Sequence, residues 1–441
     1  MTPSIDANSA SPNVEARSGA NLEAVSAAKT AARTELSALR PSLVELADSL
    51  AQNPELGFEE HRSAQMVRVL LEDFGFVGSA IDGLPTAFRM EAGTGPLTIA
   101  MLCEYDALPE LGHACGHNLI AAIGVGAGVA LRRALDASDT PLTSEDTTPQ
   151  ESRQATSGTA SGALGDARVV VIGTPAEEGG GGKIHLLDAG IFDDVDLALM
   201  AHPAGMDLLT MPSLAVAILE IDTFGRAAHA AAQPQAGINA LDALIGGFQA
   251  VAMLRQHVPD GVRLHGIITN GGTAANVVPD HCSARFMVRT PHMTELAGLV
   301  EKVENCFRCA ARAVGANAEI RIDGKPYAEI RRWGQLETWY RSNMRELGRQ
   351  LTPIADVAGV MVGSTDMGNV TQVIPGLHPM IGIGNPSLNI HTAAFAEQTQ
   401  TEAAYDAIID AASALAMTAI DFLADPGAAG HQTTTSSSGK E

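Results

Sequence analysis

Leu97–Asp106, LTIAMLCEYD, is an apolar run that empties into two carboxylates around a tyrosine. Arg168–Gly173 (RVVVIG) and Leu197–Ala201 (LALMA) repeat the pattern and run into TPAEE and HPA. Short, nearly continuous apolar runs rich in branched residues, spaced by helical patterns, read as strands of an α/β sheet buried on both faces. In such sheets the ligand-binding residues collect beyond the carboxyl ends of the strands. The fold class is therefore expected to be α/β, with the chemistry at one sheet edge.

From Leu22 to Leu50 the periodicity becomes helical. Near Ser213 the texture changes: LAVAILEIDTFGRAAHA and HCSARFMVRT read as strands, with INALDALIGGFQAVAMLRQH as a helix between them. This predicts a smaller α+β domain over 213–325, inserted into a larger one formed by 21–212 and 326–424. Residues 1–20, the Ser/Thr/Gly-rich stretch 136–166 and the tail 425–441 lack apolar residues to bury and are expected to be disordered or mobile.

At 441 residues the chain exceeds one compact core, which agrees with two domains. A net charge of −23 argues against a nucleic-acid partner and against anionic lipid, and gives at most a weak preference for cationic substrates. No apolar run reads as long enough to span a bilayer, and the N-terminus shows no secretory h-region. Five dispersed cysteines do not form a disulfide framework, so a cytoplasmic protein with reduced thiols is expected.

The chemistry concentrates in CEYDALPELGHACGHN, Cys103–Asn118. Cys115 and His117, separated by one glycine, can both face one ion, although a lone C-x-H is more often structural. Glu177 and Glu178 follow a strand and precede four glycines; His202 and His391 also follow strand-like runs, and Asp106 closes the first strand. Each has a bland explanation singly. Jointly they place thiolate, imidazole and carboxylate at one sheet edge, which suits zinc or a similar ion. The number of donors favours two ions sharing Cys115. A spare carboxylate beside the donors is what a hydrolytic site needs and a structural zinc site does not.

Three competing motifs fail. EEGGGGKI resembles a phosphate-binding loop only at Gly182–Lys183, because Glu177 stands at its first glycine and Ile184 replaces Ser/Thr. GVGAGV, Gly124–Val129, lacks the third glycine of a dinucleotide fingerprint and reads as a helix with small residues for close packing. CFRC, Cys306–Cys309, reads as an incidental pair on an amphipathic helix.

NPELGFEE, EYDALP, GHACGHN, GTPAEEGGGGK, AHPA, FGRAAHAAAQPQAGINALDA, GGTAANVVPD and STDMGNV occur in the order found in the aminoacylase/carboxypeptidase G metallopeptidases. From about residue 30 to 420 the chain resembles peptidase family M-20, in its amidohydrolase subfamily D. Within that branch it looks most like the β-alanyl-lysine dipeptidase and p-aminobenzoyl-glutamate hydrolase members. The resemblance implies a zinc-exopeptidase-like catalytic domain with a central mixed sheet, a dinuclear site holding zinc or manganese, and an inserted ferredoxin-like lid that also makes a homodimer. It implies Cys115, His117, Glu178, His202 and His391 as ligands, Glu177 as general base and Asp106 as an orienting carboxylate. His229 would stabilise the oxyanion in a partner's site, while Asn276, Arg289 and Gly363 would face substrate. Many relatives carry a histidine ligand where Glu104 stands. The implied reaction is hydrolysis of an amide in a small dipeptide or N-acyl amino acid. An aryl-amide or aromatic amine hydrolase, a non-catalytic binding relative and a structural zinc protein are the alternatives.

Overall fold

The apolar run at Leu97–Cys103 forms a central strand of a six-stranded mixed sheet in the computed structural model, which describes residues 12–138, 164, 166–357 and 363–429. The strands in chain order are β1 (Val77–Ile81), β2 (Leu84–Ala92), β3 (Leu97–Cys103), β4 (Ala167–Gly173), β5 (Leu197–Leu199), β6 (His202–Ala204), β7 (Ala215–Phe224), β8 (Arg263–Asn270), β9 (His281–Thr290), β10 (Asn317–Tyr327), β11 (Gly376–Leu377) and β12 (Met380–Gly382). The large sheet runs β1-β2-β4-β3-β5-β11, antiparallel at the β1 end and parallel from β4 to β11. β6 and β12 pair in parallel beyond it.

Helices cover both faces of this sheet, which is why β3 and β4 carry apolar residues without alternation. On one face, helix His117–Ser138 packs between the sheet and helices Pro12–Gln52 and Glu402–Ala424. It lies so close that a side chain at Gly124 would meet Cys103 Sγ at 2.5 Å, and one at Gly128 would meet Val171 Cγ2 at 2.6 Å. The small residues of GVGAGV therefore serve packing. On the other face lie the short helices Gly182–Asp188 and Met367–Val373.

One expectation is corrected here. Helices His117–Ser138 and Glu402–Ala424 each contain a stretch long and apolar enough to cross a membrane, but those stretches are 94% and 78% buried within the fold. Burial on nearly all sides of a core helix accounts for their composition. Helix Pro12–Gln52 begins inside the stretch 1–20 read as lacking structure, in a run rich in good helix formers. Residues 1–11, most of the 136–166 segment and 430–441 lie outside the described residues.

The second unit follows the order strand–helix–strand–strand–helix–strand, with a four-stranded antiparallel sheet arranged β10-β7-β9-β8. This is a ferredoxin-like arrangement. Helices Ala240–Leu254 and Met293–Ala313 pack on one face around Leu244, Phe286 and Phe307. Asn239 caps the first helix, its side chain accepting from the N–H groups of Leu241 and Asp242. The opposite face of the sheet turns Val216, Ile218, Met287 and Arg289 toward a cavity shared with the larger sheet's carboxyl edge.

Candidate active site

Three strand ends build the site. β3 delivers Glu104 and Asp106, both buried; β4 delivers Glu177 and Glu178; and β5 leads to His202. Cys115 and His117 enter through the turn that starts helix His117–Ser138. Gly116 between them has φ +84°, and a Cβ there would collide with the Pro203 ring, so only glycine lets both neighbours face the same point. His391 arrives from the loop after β12 with a left-handed φ of +64°, its N–H donating to Ala114 O at 2.8 Å. Backbone strain of this kind collects at functional sites.

Two of the candidate donor groups share one thiol. Cys115, His117 and His202 each place a ligand atom within 4.8 Å of the others, and so do Cys115, Glu178 and His391. Cys115 Sγ lies 3.4 Å from His202 Nε2, and His391 Nε2 lies 3.1 Å from Glu178 Oε1. His117 donates from Nδ1 to Asp106 Oδ1 at 2.8 Å, which leaves Nε2 facing the site, buried and without a hydrogen-bond partner. An orphaned buried imidazole nitrogen beside a thiol and a second imidazole is what a zinc-like ion would satisfy. The donor set fits a pair of divalent ions.

Asp106 also reaches the paired glutamates, where its Oδ2 accepts the N–H of Glu178 at 3.0 Å. The AEE segment is pinned on both sides of this contact. Glu60 Oε1 accepts the N–H of Ala176, and the Tyr327 hydroxyl donates to Glu177 O, each at 2.8 Å. The Glu177 carboxylate stands apart from these bonds, with Oε2 3.9 Å from His117 Nε2. Burial, reinforced by the charges of Glu104 and Glu178, pushes its carboxyl well above the usual range. Burial opposes ionisation of Glu178 too, but its contact with His391 and the nearby His117 hold it below the usual range. Two adjacent carboxylates with opposite tendencies point to two roles.

A cavity of about 500 Å³ opens onto these groups. Arg289 and Gly363 line it; Arg289 donates to Ser364 Oγ at 2.8 Å and has no carboxylate partner among the described residues. His229 and Asn276 do not reach it. Both are exposed on the lid, where His229 Nδ1 accepts from the N–H groups of Ala232 at 3.1 Å and Ala231 at 3.3 Å. Those contacts use Nδ1 as an acceptor and leave Nε2 as the ring's donor. Within one chain the structure thus brings together nine of the eleven site residues expected from sequence: Asp106, Cys115, His117, Glu177, Glu178, His202, Arg289, Gly363 and His391.

Sequence reasoning passed over Glu60, Tyr327, Lys183 and His378. His378 lines the cavity 5.6 Å from the His202 ring, is buried, and has no partner on either nitrogen; burial and the neighbouring His202 pull it down to about 3. The other histidine of GHACGHN, His113, is in neither donor group. All five cysteines are free, and CFRC sits on helix Met293–Ala313 with Cys309 exposed.

A mixed-sheet scaffold with a ferredoxin-like lid and candidate metal donors gathered around one thiol defines the class, a metal-dependent hydrolase. Residues 216–314 match the model of the peptidase dimerisation domain of the M20 peptidases. The chain is similar to the mouse Xaa-Arg dipeptidase, 39% identical over 384 residues that span 85% of this chain and 84% of that one. It is also similar to a chain of the p-aminobenzoyl-glutamate hydrolase of Escherichia coli K12, 28% identical over 88% of this chain and 90% of that one. Its fold matches the crystal structure of a dinuclear metal-binding peptidase of the M20 family from Bacillus subtilis, with TM-score 0.63 and 20% identity over 88% of this chain and 99% of that one. The chain belongs to the M20 peptidase family and is a metal-dependent amide-bond hydrolase.

Proposed function

We propose that this enzyme hydrolyses the amide of a small dipeptide or N-acyl amino acid at a pair of zinc or manganese ions. Cys115, His117 and His202 would hold one ion, and Cys115, Glu178 and His391 the other. The observation that carries this reading is the two donor groups meeting at Cys115 beside Glu177, a buried carboxylate that belongs to neither of them. When bound, the ions supply Lewis acidity, polarising the amide carbonyl and lowering the pKa of water. Glu177 takes the proton of the attacking water and returns it to the leaving amine. Asp106 holds the His117 tautomer and the Glu178 backbone together.

Arg289, which lines the cavity and has no acidic partner among the described residues, binds the substrate carboxylate, and Gly363 leaves room beside it. We assign 21–212 and 326–424 to the catalytic domain and 213–325 to the lid. His229 and Asn276 work in the site of a second copy: they lie outside their own cavity, on the unit that matches a dimerisation domain. The free thiols suit a reducing compartment. The similarity to an Xaa-Arg dipeptidase favours a dipeptide, while that to the p-aminobenzoyl-glutamate hydrolase keeps an aryl amide as the second reading.

The test is hydrolysis of β-alanyl and Xaa-Arg dipeptides, N-acetyl amino acids and p-aminobenzoyl-glutamate by zinc- or manganese-loaded protein, beside Glu177→Gln of equal metal content. Cleavage lost in the variant supports the mechanism, and the best substrate selects the subclass. Near-normal turnover in Glu177→Gln would remove Glu177 as the base.

A further inference from the structure

Lys183 is the residue this site does not use. It ends the GGGGK run, is fully buried, and places Nζ 2.5 Å from Glu104 Oε1 and 2.6 Å from Asp366 Oδ1. Its N–H also donates to Asp366 Oδ2 at 2.9 Å, so backbone and ammonium are tied to the same carboxylate. Burial disfavours the charge, but Asp366 and Glu104 more than offset that and hold the lysine protonated.

The free oxygen of Glu104, Oε2, has no hydrogen-bond partner and faces His117 Nε2 at 3.4 Å. Glu104, His117 and Glu177 thereby form a third group of candidate metal donors, all within 4.8 Å of one another. His117 has one free nitrogen, because Nδ1 is committed to Asp106. The third group therefore competes with Cys115 and His202 for that nitrogen, and an ion taken there would also consume Glu177. Two carboxylates and an imidazole are an acceptable set for manganese or zinc, so donor chemistry alone does not prevent the misplacement.

We propose that Lys183 is a metal-positioning residue: its fixed ammonium occupies Glu104 and repels a divalent ion from the Glu104–His117–Glu177 group. His117 is thereby left to the Cys115 side and Glu177 stays free to move protons. Like charges in a buried, water-poor pocket repel far more strongly than in solvent, which is why a single ammonium suffices. This inference rests on the two-ion reading above.

Metal-free protein would be titrated with Co²⁺, following ions bound per chain, thiolate-to-cobalt absorption, and inhibition of hydrolysis by excess cobalt. Wild type, Lys183→Met and Lys183→Met/Glu104→Gln are compared. Lys183→Gln, which keeps hydrogen bonding without the charge, is the second variant should Lys183→Met fail to fold. The expected result is extra cobalt bound without added thiolate absorption in the uncharged variants, and inhibition at concentrations lower by about tenfold or more. The double variant, lacking the carboxylate a stray ion needs, should return to the wild-type titration. A folded uncharged variant that titrates and is inhibited like wild type would overturn the role of Lys183 and leave the two-ion reading standing. Wild type that shows no thiolate-to-cobalt absorption would instead overturn that reading.

Discussion

Glu60 Oε1 accepts the backbone N–H of Ala176 at 2.8 Å, joining residues 116 positions apart. Ala176 has a left-handed φ of +54° and immediately precedes Glu177. A non-glycine residue is held there only when its surroundings insist. Glu60→Ala is therefore expected to lower kcat by on the order of 10–100-fold through misaimed Glu177, with KM and bound metal little changed. Glu60→Gln, which keeps the acceptor, should restore most of the loss. Equal damage from both variants would show that the carboxylate acts through something other than this bond.

The same residue sets a pH dependence of stability. Burial, with Asp106 nearby, pushes the Glu60 carboxyl up to about 7. The folded state then holds this proton more tightly than the unfolded chain, so between about pH 4.5 and 7 stability falls as pH rises. Wild type should lose on the order of 2 kcal/mol across that window relative to Glu60→Gln. Urea unfolding of both proteins at pH 5 and pH 8, without metal, measures the difference; parallel curves would refute it.

Asp106→Asn keeps the shape of the side chain and removes its charge from the His117 Nδ1–H. Metal affinity is expected to drop by about 10–100-fold. Competition against a chelator reads this directly. Glu177→Gln, one residue from a ligand yet not in either Cys115 group, should bind metal nearly as wild type does.

How much of this was legible in the sequence differs by kind of contact. β3 and β9 coincide with the apolar stretches that predicted them, because burial on both faces or strict alternation leaves a local trace. The clustering of Glu177, Glu178 and His202 was legible for a related reason: each follows a strand, and parallel strands bring their ends to one edge, whereas Cys115, His117 and His391 reach it through longer loops. Glu60, Tyr327 and Lys183 left no such trace. Their partners Ala176, Glu177 and Asp366 lie 116, 150 and 183 positions away, and a buried carboxylate or lysine looks like a solvated one until the fold closes around it. The long apolar stretches of helices His117–Ser138 and Glu402–Ala424 were missed, because scattered small and polar residues interrupt runs that the core nevertheless buries.

Arg289 offers a guanidinium to the cavity with only Ser364 Oγ and, more distantly, Met287 Sδ as partners among the described residues. Binding a carboxylate would complete it. Arg289→Met should raise KM on the order of 10–100-fold, the worth of a charge-assisted pair, with a smaller effect on kcat. A substrate whose carboxylate is replaced by a carboxamide provides the control. Wild type and variant should hydrolyse it equally poorly, and a variant still weaker on the carboxamide would point to a packing role.

His229 is exposed on the lid with its Nε2 free to donate, yet it is not among the residues lining its own cavity. If it serves the site of a second copy, each site combines one chain's Glu177 with the other's His229. Glu177→Gln and His229→Ala should then each be inactive alone. Unfolded together and refolded as a mixture, they form hybrids in which one site regains both groups. With random pairing, half the dimers are hybrids and half their sites are intact, so recovery of about a quarter of wild-type turnover is expected. Unmixed controls should recover none. Complementation requires the lid to act across the interface. A mixture as dead as its components, with hybrid dimers demonstrated by mass, would confine His229 to its own chain and leave the site without an oxyanion donor from the lid.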